Sequence, residues 1–200
     1  MGDNHGRTRY VLVVRLPRSV EVLIEDVFLG LAGATKPTMG YHITVLGPFY
    51  LDEEVDYRFL TPVQQVCVRW QPFEVDISTV SFFEAPDDNA VYLRVLDDNG
   101  MIELHDDLLS AVGKISTMQN ERIREWNETL YAPHVTLALK LSDKELPQFL
   151  RTAASQDLHA SFMVNDIWLC RQEPSAPWQY VAHFPLGTDE EQLVPPTEAG

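Results

Sequence analysis

Cysteine is scarce in this chain, which has only Cys67 and Cys170 among its 200 residues. Two thiols so far apart cannot form the disulfide framework of a small secreted protein or the ligand cluster of a zinc knuckle. Cysteine use this low is typical of a reducing compartment, so the sequence predicts a cytoplasmic protein.

Long apolar runs are also missing. No stretch approaches about 18 uninterrupted apolar residues, so we expect no membrane-spanning helix. The residues from Met1 to Arg9 are polar, which predicts that no secretory signal precedes the first apolar run. H-E-x-x-H, C-x-x-C and G-x-S-x-G motifs do not occur, and residues 30–36 have the wrong spacing for a phosphate-binding loop. The common rival catalytic signatures are therefore absent from the sequence.

Basic side chains are few. The sequence has 15 Lys and Arg against 30 Asp and Glu, a formal net charge of −15. Such a surface repels polyanions, so we expect no extended binding to nucleic acid. A short phosphorylated ligand in a locally basic pocket remains compatible with this charge. Four arginines fall between positions 7 and 18 with no acidic residue among them, and we interpret this basic strand as the border of an anion site.

The order of apolar segments and turn residues predicts an α+β fold with mainly antiparallel sheets. Predicted strands cover 10–16, 41–46 (stopped at Gly47-Pro48), 73–83, 90–96, 131–139, 160–169 and 179–186. Predicted helices cover 20–31 (capped by Ser19), about 55–70, and 99–112, and another follows a Ser142–Glu145 capping box. We expect one bilobal domain over 1–187, and an acidic, disordered tail over 188–200.

Two segments share one pattern: residues 41–49 read YHITVLGPF and residues 132–138 read APHVTLA. Because side chains alternate along a strand, His42 and Thr44 share one face, as do His134 and Thr136, while the residues between them face an apolar core. A single His-x-Thr pair also occurs on ordinary half-exposed strands. Two pairs at equivalent places in two strands form a more specific signal.

The chemistry of these side chains suits a phosphodiester. Two imidazoles across a groove can act as base and acid on opposite sides of one phosphorus atom. Two hydroxyls beside them can donate hydrogen bonds to the non-bridging oxygens as charge develops there. No carboxylate is needed, and we expect neither a metal nor a cofactor.

These segments resemble the paired His-x-Thr-x motifs of the two-histidine (2H) phosphoesterase superfamily, especially its 2′-5′ RNA ligase-like branch. The resemblance spans nearly the whole chain, from the first strand to the closing strand that ends in Phe184-Pro185-Leu186. It implies a bilobal fold with pseudo-twofold symmetry, in which each lobe gives one motif to a central cleft. His42 and His134 would then be catalytic, and Thr44 and Thr136 would bind the phosphate.

The leading hypothesis is a metal-independent phosphodiesterase that hydrolyses a 2′,3′-cyclic phosphate on a small nucleotide or a short RNA 3′ end. One alternative is 2′-5′ RNA ligation, which a protein of net charge −15 suits poorly because two RNA ends must be held together. Another is a non-catalytic nucleotide- or phosphate-binding module, against which the intact motifs argue. A histidine metal site is the weakest, because no third ligand clusters with the histidines. We expect a monomer with no membrane partner.

Further candidates surround the motifs. Some are cations near strand ends, which could rim the cleft, and others are aromatic residues, which could stack on a base; they are Arg15, Arg18, Lys36, Arg171, Tyr41, Phe49, Tyr131 and Trp178. For each one, ordinary surface or core packing is the competing interpretation. His105, His159 and His183 lack a Thr partner, and we interpret them as structural or surface residues. The net negative charge favours imidazolium, and so predicts a pH–rate profile displaced upward.

Overall fold

The computed structural model describes residues 6–51, 57–96, 99–156 and 158–187. The strands are β1 Arg9–Arg15, β2 His42–Leu51, β3 Phe73–Phe83, β4 Asn89–Leu96, β5 Ser116–Met118, β6 His134–Leu141, β7 Ala160–Val164, β8 Asp166–Gln172 and β9 Gln179–Pro185. The helices are α1 Arg18–Phe28, α2 Tyr57–Arg69, α3 Asn99–Val112, α4 Glu121–Thr129 and α5 Leu146–Ala154.

The strands form one antiparallel sheet in the order β7-β3-β4-β6-β2-β1-β8-β9, with β5 paired to β2. The two motif strands, β2 and β6, are neighbours at the centre. In this order three more strands lie on each side of them, and β5 adds a ninth strand on the β2 side. This arrangement confirms the predicted α+β class and its bilobal plan.

One apolar core lies on the face of the sheet opposite the motif histidines. Ile43 and Val135, which pair across the centre, are both 0% exposed. They belong to the same buried cluster as the apolar residues of α2, α3 and α5, which cover this face. Burying a side chain of this size contributes roughly 1.5–3 kcal/mol. The alternation of each motif strand therefore fixes its histidine and threonine on the other face.

Strand β2 is longer than the sequence predicts. The expected stop at Gly47-Pro48 is wrong, because β2 passes through this cis peptide bond and continues to Leu51. Gly47 has φ +112°, a conformation that glycine tolerates, and the β1–β2 register shifts beside it. The extra length pairs with β5, a short strand that the sequence analysis missed.

Residues 160–169 form two strands rather than the single predicted one. Asn165 separates β7 from β8, and these strands lie towards opposite ends of the sheet. The buried positions change phase here, from Ala160, Phe162 and Val164 to Ile167 and Leu169, and the sequence analysis missed this sign of a break. The predicted 131–139 strand is displaced as well, because β6 begins only after Pro133.

Helix starts are partly as expected. Ser19 is not the cap of α1, because the helix begins at Arg18 and Pro17 is its N-cap residue. The Pro17 carbonyl oxygen accepts from the N–H of Val20 at 2.9 Å. The capping box is confirmed: the Ser142 N–H donates to Glu145 Oε2 at 2.9 Å, and the Glu145 N–H donates to Ser142 Oγ at 3.4 Å. Helix α5 itself begins one residue later, at Leu146. The predicted tail at 188–200 lies outside the described residues.

Candidate active site

The two histidines begin neighbouring strands, His42 in β2 and His134 in β6. Ile43 pairs with Val135 between them. In an antiparallel pair, this register brings Thr44 beside His134 and His42 beside Thr136. Thr44 and His134 accordingly line the same cavity. The four motif side chains thus form one cluster at the centre of the sheet.

Each imidazole is held in the same way. The Nδ1 atom of His42 lies 2.9 Å from the Gly40 carbonyl oxygen, and that of His134 lies 2.7 Å from the Ala132 carbonyl oxygen. A carbonyl oxygen only accepts, so Nδ1 carries the proton and donates it in both rings. The Nε2 atom of each ring is therefore the one that can exchange a proton with a ligand.

Burial lowers the pKa of both imidazoles below its ordinary value. Desolvation is the main cause for each ring, and the hydrogen bond to the backbone carbonyl opposes it. The positive charge of His42 lowers the pKa of His134 further, so the two rings sense each other. Their proton uptake is consequently coupled, and the neutral form is favoured near pH 7.

The threonine hydroxyls remain available to a ligand. Thr44 and Thr136 are partly buried, on the same face as the histidines. Within the described part of the chain, neither hydroxyl is engaged in a hydrogen bond with another residue. Both can therefore donate to an anion between the two imidazoles.

An arginine lies beside each histidine on the adjacent strand. Arg15 of β1 pairs with His42, and Arg94 of β4 pairs with His134. Directly opposite residues share a face, so both arginines are on the histidine side of the sheet. The Arg15 guanidinium lies over the rings of Tyr180, at 4.5 Å, and Trp168, at 5.1 Å. The sequence analysis identified Arg15 but missed Arg94, because only the pairing of β4 with β6 brings Arg94 beside His134.

His134 is surrounded by aromatic rings that the sequence analysis did not single out. Its centroid lies 5.0 Å from that of Phe83, 4.9 Å from that of Tyr92 and 6.0 Å from that of Trp126. Phe83 and Tyr92 also stack on each other at 4.3 Å. The surroundings of His134 are therefore mainly aromatic, with Arg94 opposite it on the adjacent strand.

Tyr131 contacts the backbone of the motif strand β2 and packs against a buried histidine. Its hydroxyl donates to the Thr44 carbonyl oxygen at 3.0 Å, and its ring stacks on His105 at 3.9 Å. The nitrogens of His105, Nδ1 and Nε2, lie 2.6 Å from the carbonyl oxygens of Val45 and Asn127 respectively. His105 is 1% exposed, which confirms it as a structural residue. His105, which lies in α3, therefore contacts the backbone of both β2 and α4.

Two of the proposed aromatic contacts are wrong. Tyr41 is 2% exposed and Phe49 0% exposed, and both belong to the core, so neither ring can stack on a ligand. Trp178 is partly buried in a small cluster with Val11 and Cys170, on the same face as Arg15. It therefore remains a candidate for ligand contact.

Three of the proposed cations have other partners. Glu25 Oε1 lies 2.8 Å from Arg18 Nη1 and 2.5 Å from Lys36 Nζ. These contacts, that of Arg18 foremost, lower the pKa of Glu25 to about 2. Arg171 alternates to the face opposite Cys170 and pairs with Glu173 at 3.4 Å. Because exposed ion pairs are weak, these contacts do not exclude a ligand, and the role of Arg18, Lys36 and Arg171 in substrate binding stays a prediction.

The remaining histidines and thiols lie outside the cluster. His159 is exposed, His183 contacts Asp166 at 3.1 Å, and His5 lies outside the described residues. Burial raises the pKa of the Cys67 thiol to about 12, which rules it out as a nucleophile.

The described ranges contain no group of three or more His, Cys, Asp or Glu side chains that could hold a metal ion. No helix among the same residues is long and apolar enough to cross a bilayer.

The fold and the paired motifs define a two-histidine phosphoesterase. A family model described as the 2′-5′ RNA ligase superfamily matches residues 36–176, and the chain belongs to that superfamily. A Bacillus licheniformis protein whose name describes a phosphoesterase is 25% identical over 146 residues, 73% of this chain and 80% of the relative. A Geobacillus kaustophilus protein with the same kind of name is 25% identical over 151 residues, 74% of this chain and 80% of the relative.

Solved structures share this fold. A Thermus thermophilus protein matches with a TM-score of 0.63 at 18% identity, over 91% of this chain and all of the other. Escherichia coli LigT in its apo form matches with a TM-score of 0.60 at 14% identity, over 92% of this chain and 99% of LigT. LigT complexed with 3′-AMP matches equally well, with a TM-score of 0.60 at 16% identity, over 90% of this chain and 99% of LigT.

Proposed function

We propose that this protein is a phosphodiesterase that hydrolyses 2′,3′-cyclic phosphates of a small nucleotide or a short RNA end without a metal ion. The observation that carries the proposal is the pair of imidazoles, each anchored through Nδ1, which leaves Nε2 as the nitrogen that can exchange a proton, with a threonine beside each ring. The phosphoesterase names of the relatives support the reaction class. The LigT complexes with 3′-AMP, with NADP+ and with phosphate support a small phosphorylated ligand.

The reaction follows from the geometry of the cluster. A phosphate between His42 and His134 receives hydrogen bonds from Thr44 and Thr136 on its non-bridging oxygens. One imidazole, neutral, takes a proton from water as the water oxygen forms its bond to phosphorus. The other, protonated, gives a proton to the ribose oxygen as the P–O bond of the ring breaks. The product is a phosphate monoester, and the two rings exchange protonation states in each turnover.

The assay is direct. The purified chain is incubated in EDTA with each 2′,3′-cyclic nucleotide and with an oligonucleotide ending in a cyclic phosphate, and the monoester is followed by ³¹P NMR. We expect turnover that is unaffected by the chelator, and loss of turnover in the variant with both histidines replaced by alanine. Inactivation by EDTA that one divalent ion reverses would contradict the proposed mechanism. Absence of turnover on every substrate would contradict the proposed reaction.

A further inference from the structure

A cavity of about 620 Å³ opens directly from the motif cluster. His134 and Thr44 form one part of its wall, and Gly47-Pro48 of β2 continues it. Helix α4 supplies the opposite side. The volume lies in the range of small-molecule sites, roughly 300–1,000 Å³, and is large enough for a nucleoside. We call this cavity the α4 pocket.

The wall of the α4 pocket is mainly apolar and aromatic. Phe83, Ile123, Trp126 and Leu130 contribute to it. Leu130 is 59% exposed, so its side chain is accessible to a ligand. Trp126 and Phe83 both contact the His134 ring, so their aromatic surface begins where the phosphate would lie. A flat apolar group joined to that phosphate would cover this surface.

The charges around the α4 pocket disfavour a second phosphate there. Glu84 and Glu125 carry two negative charges at its wall, against one positive charge on Arg122. A phosphate next to two carboxylates is repelled, whereas an uncharged heterocycle is not. The cations on the histidine face of the sheet, Arg15 and Arg94, are not among the residues that line this pocket.

We propose that the α4 pocket binds the nucleobase of the substrate, with Trp126 as its stacking residue. The proposal rests on the proposed function, since the base reaches the pocket only through a phosphate held by the histidines. Aromatic side chains stack on every base, so the pocket selects for the presence of a base more than for its identity. Trp126 is here a binding residue and His134 the catalytic one.

The test compares a substrate that has a base with one that lacks it. Ribose 2′,3′-cyclic phosphate keeps the reacting ring and has no base, and adenosine 2′,3′-cyclic phosphate has both. We expect kcat/KM to be about 5- to 150-fold higher for the nucleotide, which corresponds to the usual strength of one stacked base. Trp126→Leu should lower kcat/KM at least fivefold more for the nucleotide than for the base-free substrate. Trp126→Phe, which retains a ring, should restore part of the loss.

Trp70→Leu is the matched control. Trp70 is also partly buried, but it lies beyond the end of α2, where its Nε1 donates to Asp107 at 2.9 Å. We expect this variant to behave as wild type on both substrates. Thermal unfolding of all the variants checks that they are folded. Equal losses on both substrates in Trp126→Leu would overturn the proposal, since Trp126 would then act only by supporting His134.

Direct binding separates this proposal from the proposed function. If the wild-type chain hydrolyses neither substrate, the proposed function fails, and calorimetry with 3′-AMP and with ribose 3-phosphate then tests the pocket. Tighter binding of 3′-AMP that weakens at least fivefold in Trp126→Leu would support the base site without turnover. Equal affinity for the two ligands, or no binding of either, would overturn it.

Discussion

Asn127 of α4 connects the helix to the strand that carries Thr44. It is 2% exposed. Its Oδ1 accepts from the Gly47 N–H at 3.0 Å, and its Nδ2 donates to the carbonyl oxygens of Gly47 at 3.2 Å and Ile123 at 2.7 Å. Asn127→Ala removes all three hydrogen bonds. We expect it to lower both the stability of the chain and its turnover.

The magnitude follows from the groups that lose a partner. The Ile123 carbonyl oxygen remains in the helical hydrogen-bond pattern of α4, whereas the Gly47 N–H and C=O lose the Asn127 amide inside the protein. A buried polar group left unpaired costs about 1–3 kcal/mol, so the two together amount to about 2–6 kcal/mol. This is a large share of the roughly 5–15 kcal/mol of a typical domain. Urea unfolding measures the change in the free energy of unfolding.

Asn89 provides the matched control. It is 0% exposed, accepts from the Ala85 N–H at 3.0 Å, and donates to the Leu141 carbonyl oxygen at 3.0 Å and to Asp143 Oδ1 at 2.9 Å. Asn89→Ala therefore removes the same number of hydrogen bonds away from the motif residues. We expect a comparable loss of stability with kcat/KM near wild type, measured at a temperature where both variants are folded. If Asn127→Ala leaves stability unchanged, or if both variants lose turnover equally, the reasoning is refuted.

The remaining predictions concern the motif residues. His42→Ala and His134→Ala should each reduce turnover ~10²–10⁴-fold, and the double variant should lose far less than the product; near-normal turnover in either single variant contradicts a two-histidine mechanism. Thr44→Val and Thr136→Val should each slow kcat ~10²–10³-fold in a folded chain, and unchanged kinetics would leave the hydroxyls no role beyond the strand. Since burial lowers both imidazole pKa values, the bell of kcat/KM against pH should have its optimum below 6.5. For the same reason the unfolded chain binds protons at a higher pH than the folded one. The free energy of unfolding should thus fall as the pH drops below about 6.5, and replacing both histidines by glutamine should remove this part of the fall.

The sequence was sufficient to predict the motif strands because alternation is a local property. Ile43 and Val135 are apolar neighbours of His42 and His134, so burying them decides which way the histidines point. Nothing local predicted that β2 and β6 would be adjacent; that expectation came from the family resemblance. The same local reasoning cannot decide whether an aromatic residue beside a motif faces the core or the cleft. Tyr41 and Phe49 were expected at the cleft, but both belong to the core.

Helix α4 and strand β5 escaped prediction because the region is short and polar. A signal was nevertheless present. Asn120 caps α4 by accepting from the Ile123 N–H at 3.0 Å, and Ile123, Trp126 and Leu130 follow at the spacing of one helical face. That face does not enter the core, so its apolar residues were too few to stand out among the charged ones. The same property leaves them available to line the α4 pocket.

The electrostatic expectation failed for a different reason. A net charge of −15 suggested that both histidines would hold protons more tightly. Most of the acidic residues in the described part of the chain are exposed, and charges more than about 8–10 Å apart in solvent are largely screened at physiological salt. The loss of solvent around each ring acts at contact distance, and it lowers the pKa of both. The local effect therefore outweighs the global one.

The same distance argument explains how an acidic protein can offer a site to an anion. Within the sheet, Arg15 lies opposite His42, and Arg94 lies opposite His134. Both share the histidine face, so each carries its positive charge on the side of the sheet where the cluster lies. Exposed carboxylates farther than about 8–10 Å from the cluster are largely screened at physiological salt. The net charge therefore governs which long polyanions the protein repels, and it does not fix the sign of the charge beside the cluster.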